Sequence, residues 1–262
     1  MSEPTVLVSR NERSVVTVTL NRPALHNAFD EGLIQRLIET FETLGADAAC
    51  RVVVLAGAGK SFSAGGDLNW MRRMAGYSYA ENVADANELG RLMRTLDHLP
   101  KPTLARVHGS VFAGGLGLVA CCDIALAEPD AIFCVSETRL GLVPAVISPY
   151  LIRAIGARMA RRYFLTAERF SAAEALRIGL VHEVAPAAQL NARIDAIVAA
   201  LLEGGSHAQA RSKRLISEVA DRPIEQAVID LTARAIAEAR ASNEAREGLA
   251  AFFEKRRPKW GE

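Results

Sequence analysis

The spacing of apolar positions changes along the chain and divides it into a strand-bearing first part and a helical remainder. Thr5–Ser9 and Val15–Leu20 are short β-rich runs, the second alternating apolar and polar residues. Asn21-Arg22-Pro23 breaks that pattern, and Phe29, Leu33, Leu37, Phe41 and Leu44 then recur at helical spacing. Arg51–Ala56 is an unbroken, β-branched-rich run stopped by Gly57 and Gly59, which predicts a buried strand. A polar helical stretch over Tyr79–Leu99 ends at Pro100 and Pro102. Thr103–Val107 follows as another buried strand, then the glycine-rich segment Gly109–Gly117, then short strands at Ile124–Ala127 and Ile132–Val135. Beyond Pro149 almost everything has helical period, and only Leu180–Val184 reads as a strand. The pattern predicts an α/β first part followed by a helical part. The strand–turn–helix rhythm fits a stacked ββα spiral and a doubly wound sheet equally well, and periodicity does not separate them.

Composition narrows the function. The chain has 262 residues, half of them hydrophobic, enough to bury one large core with a small appendage. Its 31 basic and 30 acidic side chains leave a net charge near +1. A protein built to neutralise phosphates carries a basic excess, so no nucleic-acid partner is expected. The cysteines Cys50, Cys121, Cys122 and Cys134 show no CxxC pair and no zinc spacing, so reduced, buried thiols and no metal are expected. MSEPTVLVSR lacks the charged and apolar regions of a secretory signal, and no apolar run approaches the ~20 residues of a membrane span. A soluble cytoplasmic protein is the expectation.

Three segments are candidates for chemistry. Gly57-Ala58-Gly59-Lys60-Ser61 imitates a phosphate-binding P-loop, but the required first glycine falls on Val54, so the segment reads as a turn. Phe62-Ser63-Ala64-Gly65-Gly66-Asp67-Leu68 has small residues that let backbone N–H groups approach a ligand, with Asp67 placed to cap a helix starting near Leu68. Ala113-Gly114-Gly115-Leu116-Gly117 opens an apolar helical run, and the N–H groups of a helix N-terminus attract anions. Taken singly, either cluster is ordinary loop or packing chemistry. Together they supply what an oxyanion hole requires, two convergent donors from separate turns.

In order and spacing, several segments resemble the crotonase (enoyl-CoA hydratase/isomerase) superfamily. They are Asn21-Arg22-Pro23 with Asn27-Ala28, FSAGGDL, HGSVFAGGLGLVACCDIALA, FCVSETRLGLVP and the terminal FFEKRRPKW. The likeness spans nearly the whole chain. It implies a crotonase-like ββα spiral core over residues 1–184 and a helical region over 185–262 for trimerisation and coenzyme A contact. It also implies an acyl-CoA thioester substrate, no permanently bound cofactor, and a homotrimer or dimer of trimers. The implied oxyanion donors are the backbone N–H groups of Gly66 and Gly114. Glu137 matches the second of the two glutamates common in the family's hydratases, whereas the position of the first is Gly117. Eight residues beyond Glu137, where other members carry an acid, stands Ala145. Implied coenzyme A contacts are Ala64, Asp67, Leu68, Phe252 and Lys255. Trp70 and Met71 are candidates for the acyl pocket or for core packing, and His108 for a structural role.

The segments around GLGLVACCD and SETRLGLVPAVISPYLIRAIGARMARRYFLTAERF most resemble bacterial methylglutaconyl-CoA and isohexenylglutaconyl-CoA hydratases. The expected activity is therefore addition of water to an α,β-unsaturated, branched or glutaconyl-type acyl-CoA. The distal carboxylate of such a substrate is expected to stand in the space left by Gly117, with Arg139 either anchoring it or exposed at the surface. A Δ3,Δ2-enoyl-CoA isomerase is the alternative, since one carboxylate suffices to shuttle a proton from C2 to C4. A scaffold retained for binding alone is a third reading, and turnover of any enoyl-CoA separates it from the other two.

Overall fold

The computed structural model describes residues 3–261. Strands β1 (Val6–Arg10) and β2 (Val15–Leu20) form an antiparallel hairpin in which Val6 faces Leu20. Asp30 caps helix α1 (Glu31–Ala46) by accepting from the Leu33 N–H, and the helix buries the stripe Leu33, Ile34, Leu37, Ile38, Phe41 and Leu44. The chain then repeats one unit three times. Strands β3 (Val52–Gly57) and β4 (Ser61–Ser63) precede helices α2 (Leu68–Met74) and α3 (Tyr79–Asp97). Strands β5 (Thr103–Val107) and β6 (Ser110–Phe112) precede α4 (Gly114–Cys121), and β7 (Ile124–Ala127) and β8 (Ile132–Cys134) precede α5 (Ser148–Thr166).

In each unit the first strand joins one sheet and the second joins another. The larger sheet runs β1-β2-β3-β5-β7-β10, and the smaller runs β4-β6-β8-β9, where β9 is Phe170–Ser171 and β10 is Glu183–Val184. A doubly wound fold would keep successive strands in one sheet. The division between two sheets makes this the ββα spiral.

Alternate faces of β3 explain why its apolar run is unbroken. Val53 and Leu55 pack in the cluster that includes Leu37 and Phe41 of α1. Val52 and Val54 pack on the other side against Leu190, Ile194 and Val198 of helix α7 (Ala187–Leu202). Beyond the expected boundary at residue 184, α7 lies on this face of the sheet and builds a second apolar cluster with Val15, Val52, Val54, Leu104 and Leu126. One expected strand differs in detail, and β9 is a strand the periodicity does not predict. The run at Leu180–Val184 contracts to β10, with Leu180 and Val181 buried as loop side chains, and β9 adds a two-residue antiparallel edge to β8.

Helices α6 (Ala172–Arg177), α8 (Ser206–Val219), α9 (Gln226–Ala241) and α10 (Asn243–Phe253) complete the chain. The last three bury little. α8 has no buried residue, and Ile216, Ile229, Ile236, Leu249, Phe252 and Phe253 are exposed. Among the described residues no helix is long and apolar enough to cross a membrane.

Candidate active site

The two glycine clusters meet because β4 and β6 are neighbours. Beyond β4, Phe29 forms a parallel bridge to Gly66: its N–H donates to the Gly65 carbonyl and its carbonyl accepts from the Asp67 N–H, both at 2.7 Å. Phe29 thus engages the residues on either side of Gly66, and the Gly66 N–H points the other way. Gly65 adopts φ +91°, where a side chain would be strained. Beyond β6, the Ala113 N–H donates to the Cys134 carbonyl at 3.0 Å, and Gly114 begins α4 with its N–H outside the helical ladder. A Cβ on Gly65 would lie 3.0 Å from that of Ala113, and one on Gly115 would lie 2.8 Å from the Ser63 carbonyl oxygen. The loops are therefore in direct contact. Neither Gly66 nor Gly114 donates its N–H to an acceptor among the described residues. Two such donors from separate turns can hold an oxygen that gains negative charge.

The backbone strain at this junction is carried by Ala113, with φ 48° and ψ −119°, and not by Gly114. A non-glycine residue held there costs about 1–3 kcal/mol, which the bond to Cys134 and the packed Gly65 help to offset.

A polar brace fixes the first loop from behind. Arg22 bridges Asp30 at 2.8 Å and Asp67 at 3.0 Å. Asn27 is fully buried; its amide donates to the carbonyls of Ala58 and Ser61, and its side-chain oxygen accepts from the Arg22 N–H. Asp67 accepts from the Asn69 and Trp70 N–H groups at the start of α2. Those bonds and Arg22 hold its carboxyl below the ordinary range even though burial alone would raise it. The Asp67 side chain is thus engaged within the protein. The turn at Gly57–Ser61 simply links β3 to β4, and His108 Nε2 bonds the Gly59 carbonyl there at 2.9 Å.

Glu137 opens a 3₁₀ turn (Glu137–Leu140) three residues after Cys134, the residue that accepts from Ala113. Its Oε2 is buried without a hydrogen-bond partner. Burial raises its pKa, only partly opposed by backbone hydrogen bonds at Glu137 and Ser136. A buried carboxyl without a cationic partner exchanges protons nearer to neutral pH than a surface one, which suits it to acid–base work. Arg139 is exposed.

The space at Gly117 is not empty. A Cβ there would lie 2.4 Å from Ile147 Cγ2 and 3.0 Å from both Cε and Sδ of Met93. The expectation that a substrate carboxylate fills this place is therefore overturned, because hydrocarbon already does. Around Gly66, Trp70 Cε3 and Met71 Cγ would lie 3.7 and 3.4 Å from an added Cβ. Trp70 is buried, and its indole N–H donates to Asp85 Oδ1 at 3.0 Å. Burial raises the Asp85 carboxyl pKa despite that bond. Asp85, Met93 and Ile147 carry no sequence signal of proximity to the glycine loops.

The remaining candidates are dispersed. The Ala64 N–H donates to the His26 carbonyl at 2.9 Å, and Leu68 is 71% exposed at the start of α2. Phe252 is 75% exposed at the end of α10, and Lys255 follows with φ 54°. The tail beyond them is anchored by Arg51, which donates to the Trp260 carbonyl at 3.0 Å. Arg51 enters β3 at the end opposite the one that leads to Gly66. Gly66, Gly114 and the Glu137 turn are thus brought together, while Phe252 and Lys255 belong to a segment tied elsewhere. Among the described residues no group of three or more His, Cys, Asp or Glu side chains is placed to hold a metal ion.

A profile of the enoyl-CoA hydratase/isomerase family matches residues 10–262. The chain is 33% identical over 254 residues to a putative enoyl-CoA hydratase of Thermus thermophilus, covering 97% of this chain and 100% of the relative. Among solved structures it is similar to an enoyl-CoA hydratase from Shewanella pealeana, with TM-score 0.95, 46% identity and coverage of 98% of this chain and 96% of that one. It is also similar to Pseudomonas aeruginosa AtuE, with TM-score 0.94, 35% identity and coverage of 99% and 100%.

Proposed function

The chain belongs to the enoyl-CoA hydratase/isomerase family and is an enoyl-CoA hydratase-type enzyme acting on CoA thioesters; from that premise we propose that it hydrates a branched or glutaconyl-type enoyl-CoA with Glu137 as its acid–base group. What supports the role of Glu137 is its buried, unpartnered Oε2, in a turn that begins three residues after Cys134, whose carbonyl accepts from Ala113 of the second glycine loop. In this reading the thioester oxygen accepts from the N–H groups of Gly66 and Gly114. Glu137, as carboxylate, takes a proton from water while the water oxygen bonds to the β-carbon. The π pair moves toward the thioester and leaves an enolate on the held oxygen. Glu137 then returns the proton to the α-carbon and the carbonyl re-forms, so one water is added and the enzyme is unchanged.

The substrate class rests on the likeness of GLGLVACCD and the segment following Glu137 to glutaconyl-CoA hydratases. The hydrocarbon of Ile147 and Met93 beside α4 suits a branched acyl group. The single carboxylate equally favours a second activity, Δ3,Δ2 isomerisation, in which Glu137 carries a proton between C2 and C4. A panel of crotonyl-CoA, 3-methylglutaconyl-CoA and a 3-enoyl-CoA decides among these. The dicarboxylic substrate is expected to be hydrated fastest. Faster hydration of crotonyl-CoA would overturn the glutaconyl assignment, and equilibration of 3- and 2-enoyl-CoA without uptake of water would make the isomerase reading the correct one.

Ala64, Asp67 and Leu68, beside the first oxyanion donor, are proposed to present the coenzyme through their backbone or exposed side chains. Phe252 and Lys255 are proposed to reach the coenzyme of a neighbouring copy, since their own tail is tied at the other end of β3. The exposed apolar side chains of α8–α10 support assembly into a trimer or a dimer of trimers. Lys255→Ala is then expected to raise KM for acyl-CoA several-fold while leaving kcat nearly unchanged, because the phosphates lie far from the reacting carbon. A monodisperse monomer by light scattering, with unchanged KM in the variant, would remove both proposals.

A further inference from the structure

Gly117 lies one turn into α4, three residues after the donor Gly114, and residues so spaced share a helix face. A side chain at 117 would stand one turn above that donor. Ile147 prevents this. It is the N-cap of α5 and 2% exposed. Its Cγ2 lies 2.4 Å from the position of a Cβ at 117, well inside contact distance. Met93 Sδ and Cε lie at 3.0 Å on the other side, but a thioether chain has several torsions with which to withdraw. A β-branched side chain packed at a helix start has few. Ile147 therefore decides what position 117 can hold.

We propose that Ile147 is a specificity-determining residue that wedges the space above Gly114 with hydrocarbon, backed by Met93, and so builds the acyl site with one carboxylate in place of two. This rests on the reading of Glu137 as the acid–base group. On that basis both proton transfers fall to Glu137, and hydrocarbon occupies the place one turn above Gly114 where a second acid of the protein would stand. Removal of the wedge, and not merely replacement of the glycine, is what opens the position to a second acid.

Four variants test this: Gly117→Ala, Gly117→Ala with Ile147→Ala, Gly117→Glu, and Gly117→Glu with Ile147→Ala. Gly117→Ala is expected to lower the melting temperature by ~5 °C or more through overpacking, with the paired alanine variant recovering most of the loss. Gly117→Glu alone is expected to lose at least ~10-fold in kcat/KM on crotonyl-CoA. Its pair with Ile147→Ala is expected to regain activity and to show a second ionisation in the pH profile of kcat/KM. If Gly117→Ala melts with the wild type, or if the folded glutamate pair has a pH profile superimposable on the wild type, the wedge is wrong. Glu137→Gln in the wild-type background separates the two ideas. Its retention of activity would remove Glu137 as the acid–base group, yet leave the melting-temperature coupling between positions 117 and 147 as an independent measure of the wedge.

Discussion

Replacing Glu137 by glutamine is expected to lower turnover of every enoyl-CoA substrate by ~10³-fold while raising thermal stability at neutral pH. The rate effect lies above the lower end of the range for a lost acid–base group, about 10²–10⁴-fold, because no second carboxylate stands at position 117 to share the proton transfers. The stability effect follows from the direction of the Glu137 pKa, which burial raises. A carboxyl whose folded pKa lies above its unfolded one binds its proton more tightly in the fold. Its stabilising contribution is full below the ordinary glutamate range and is lost as pH rises through the folded value. Glutamine resembles the neutral acid and never incurs that loss. The melting temperature of Glu137→Gln should therefore exceed that of the wild type near pH 7–8, and the gap should close as the pH falls toward 4. Wild-type kcat/KM should decline on the acid side at a pH above that of an exposed carboxylate, as the base becomes protonated. Calorimetry and initial rates across pH 4–9 check both. A variant with full turnover, or a melting-temperature gap that does not change with pH, would show that Glu137 is not the ionising group of the site.

Glu137 stands out as a candidate in the sequence because its neighbours are distinctive, and the regular elements are legible for similar local reasons. β3 is an apolar run bounded by glycines, and α1 repeats its apolar residues with the period of a helix, so each announces its own burial. The site's supports are different in kind. Arg22 reaches Asp67 across 45 residues, and nothing in either segment names the other. Ala113 takes a left-handed φ that alanine does not advertise. The glycine at 117 shows the limit most plainly. A missing side chain implies open space only if no other residue fills it, and Ile147, thirty positions later, does. The same holds for the helices after residue 184. The change from strand to helix is visible in the periodicity, but α7 returns to cover Val52 and Val54, and which face a helix covers depends on contacts remote in sequence.

Gly114→Val is expected to leave a folded protein whose turnover is at least ~100-fold lower. A Cβ at this position would lie 3.1 Å from Phe29 Cε2 and 3.3 Å from Cδ2, tighter than ordinary contact, and the γ-methyl groups of valine add to the crowding. Phe29 is buried, so its ring has little room to retreat. Its backbone is the partner that orients the loop of the other donor, through the bonds from Phe29 N–H to the Gly65 carbonyl and from Asp67 N–H to the Phe29 carbonyl. Displacing the ring thus disturbs both sides of the oxyanion site at once, while the substituent also crowds the approach of the thioester oxygen. Losing one such donor costs about 2.7–4 kcal/mol of transition-state stabilisation, which corresponds to about 10²–10³-fold in rate. Gly115 is a poor position for the same test, because a Cβ there would lie 2.8 Å from the backbone oxygen of Ser63 and the loop itself would have to move. Gly90→Ala in α3 is the suitable control: its nearest neighbour would be Val146 Cγ1 at 4.0 Å, so normal turnover is expected. Initial rates with saturating substrate, alongside near-ultraviolet circular dichroism for tertiary packing, give the comparison. Near-native turnover in a folded Gly114→Val protein would mean that the thioester oxygen is held by other donors.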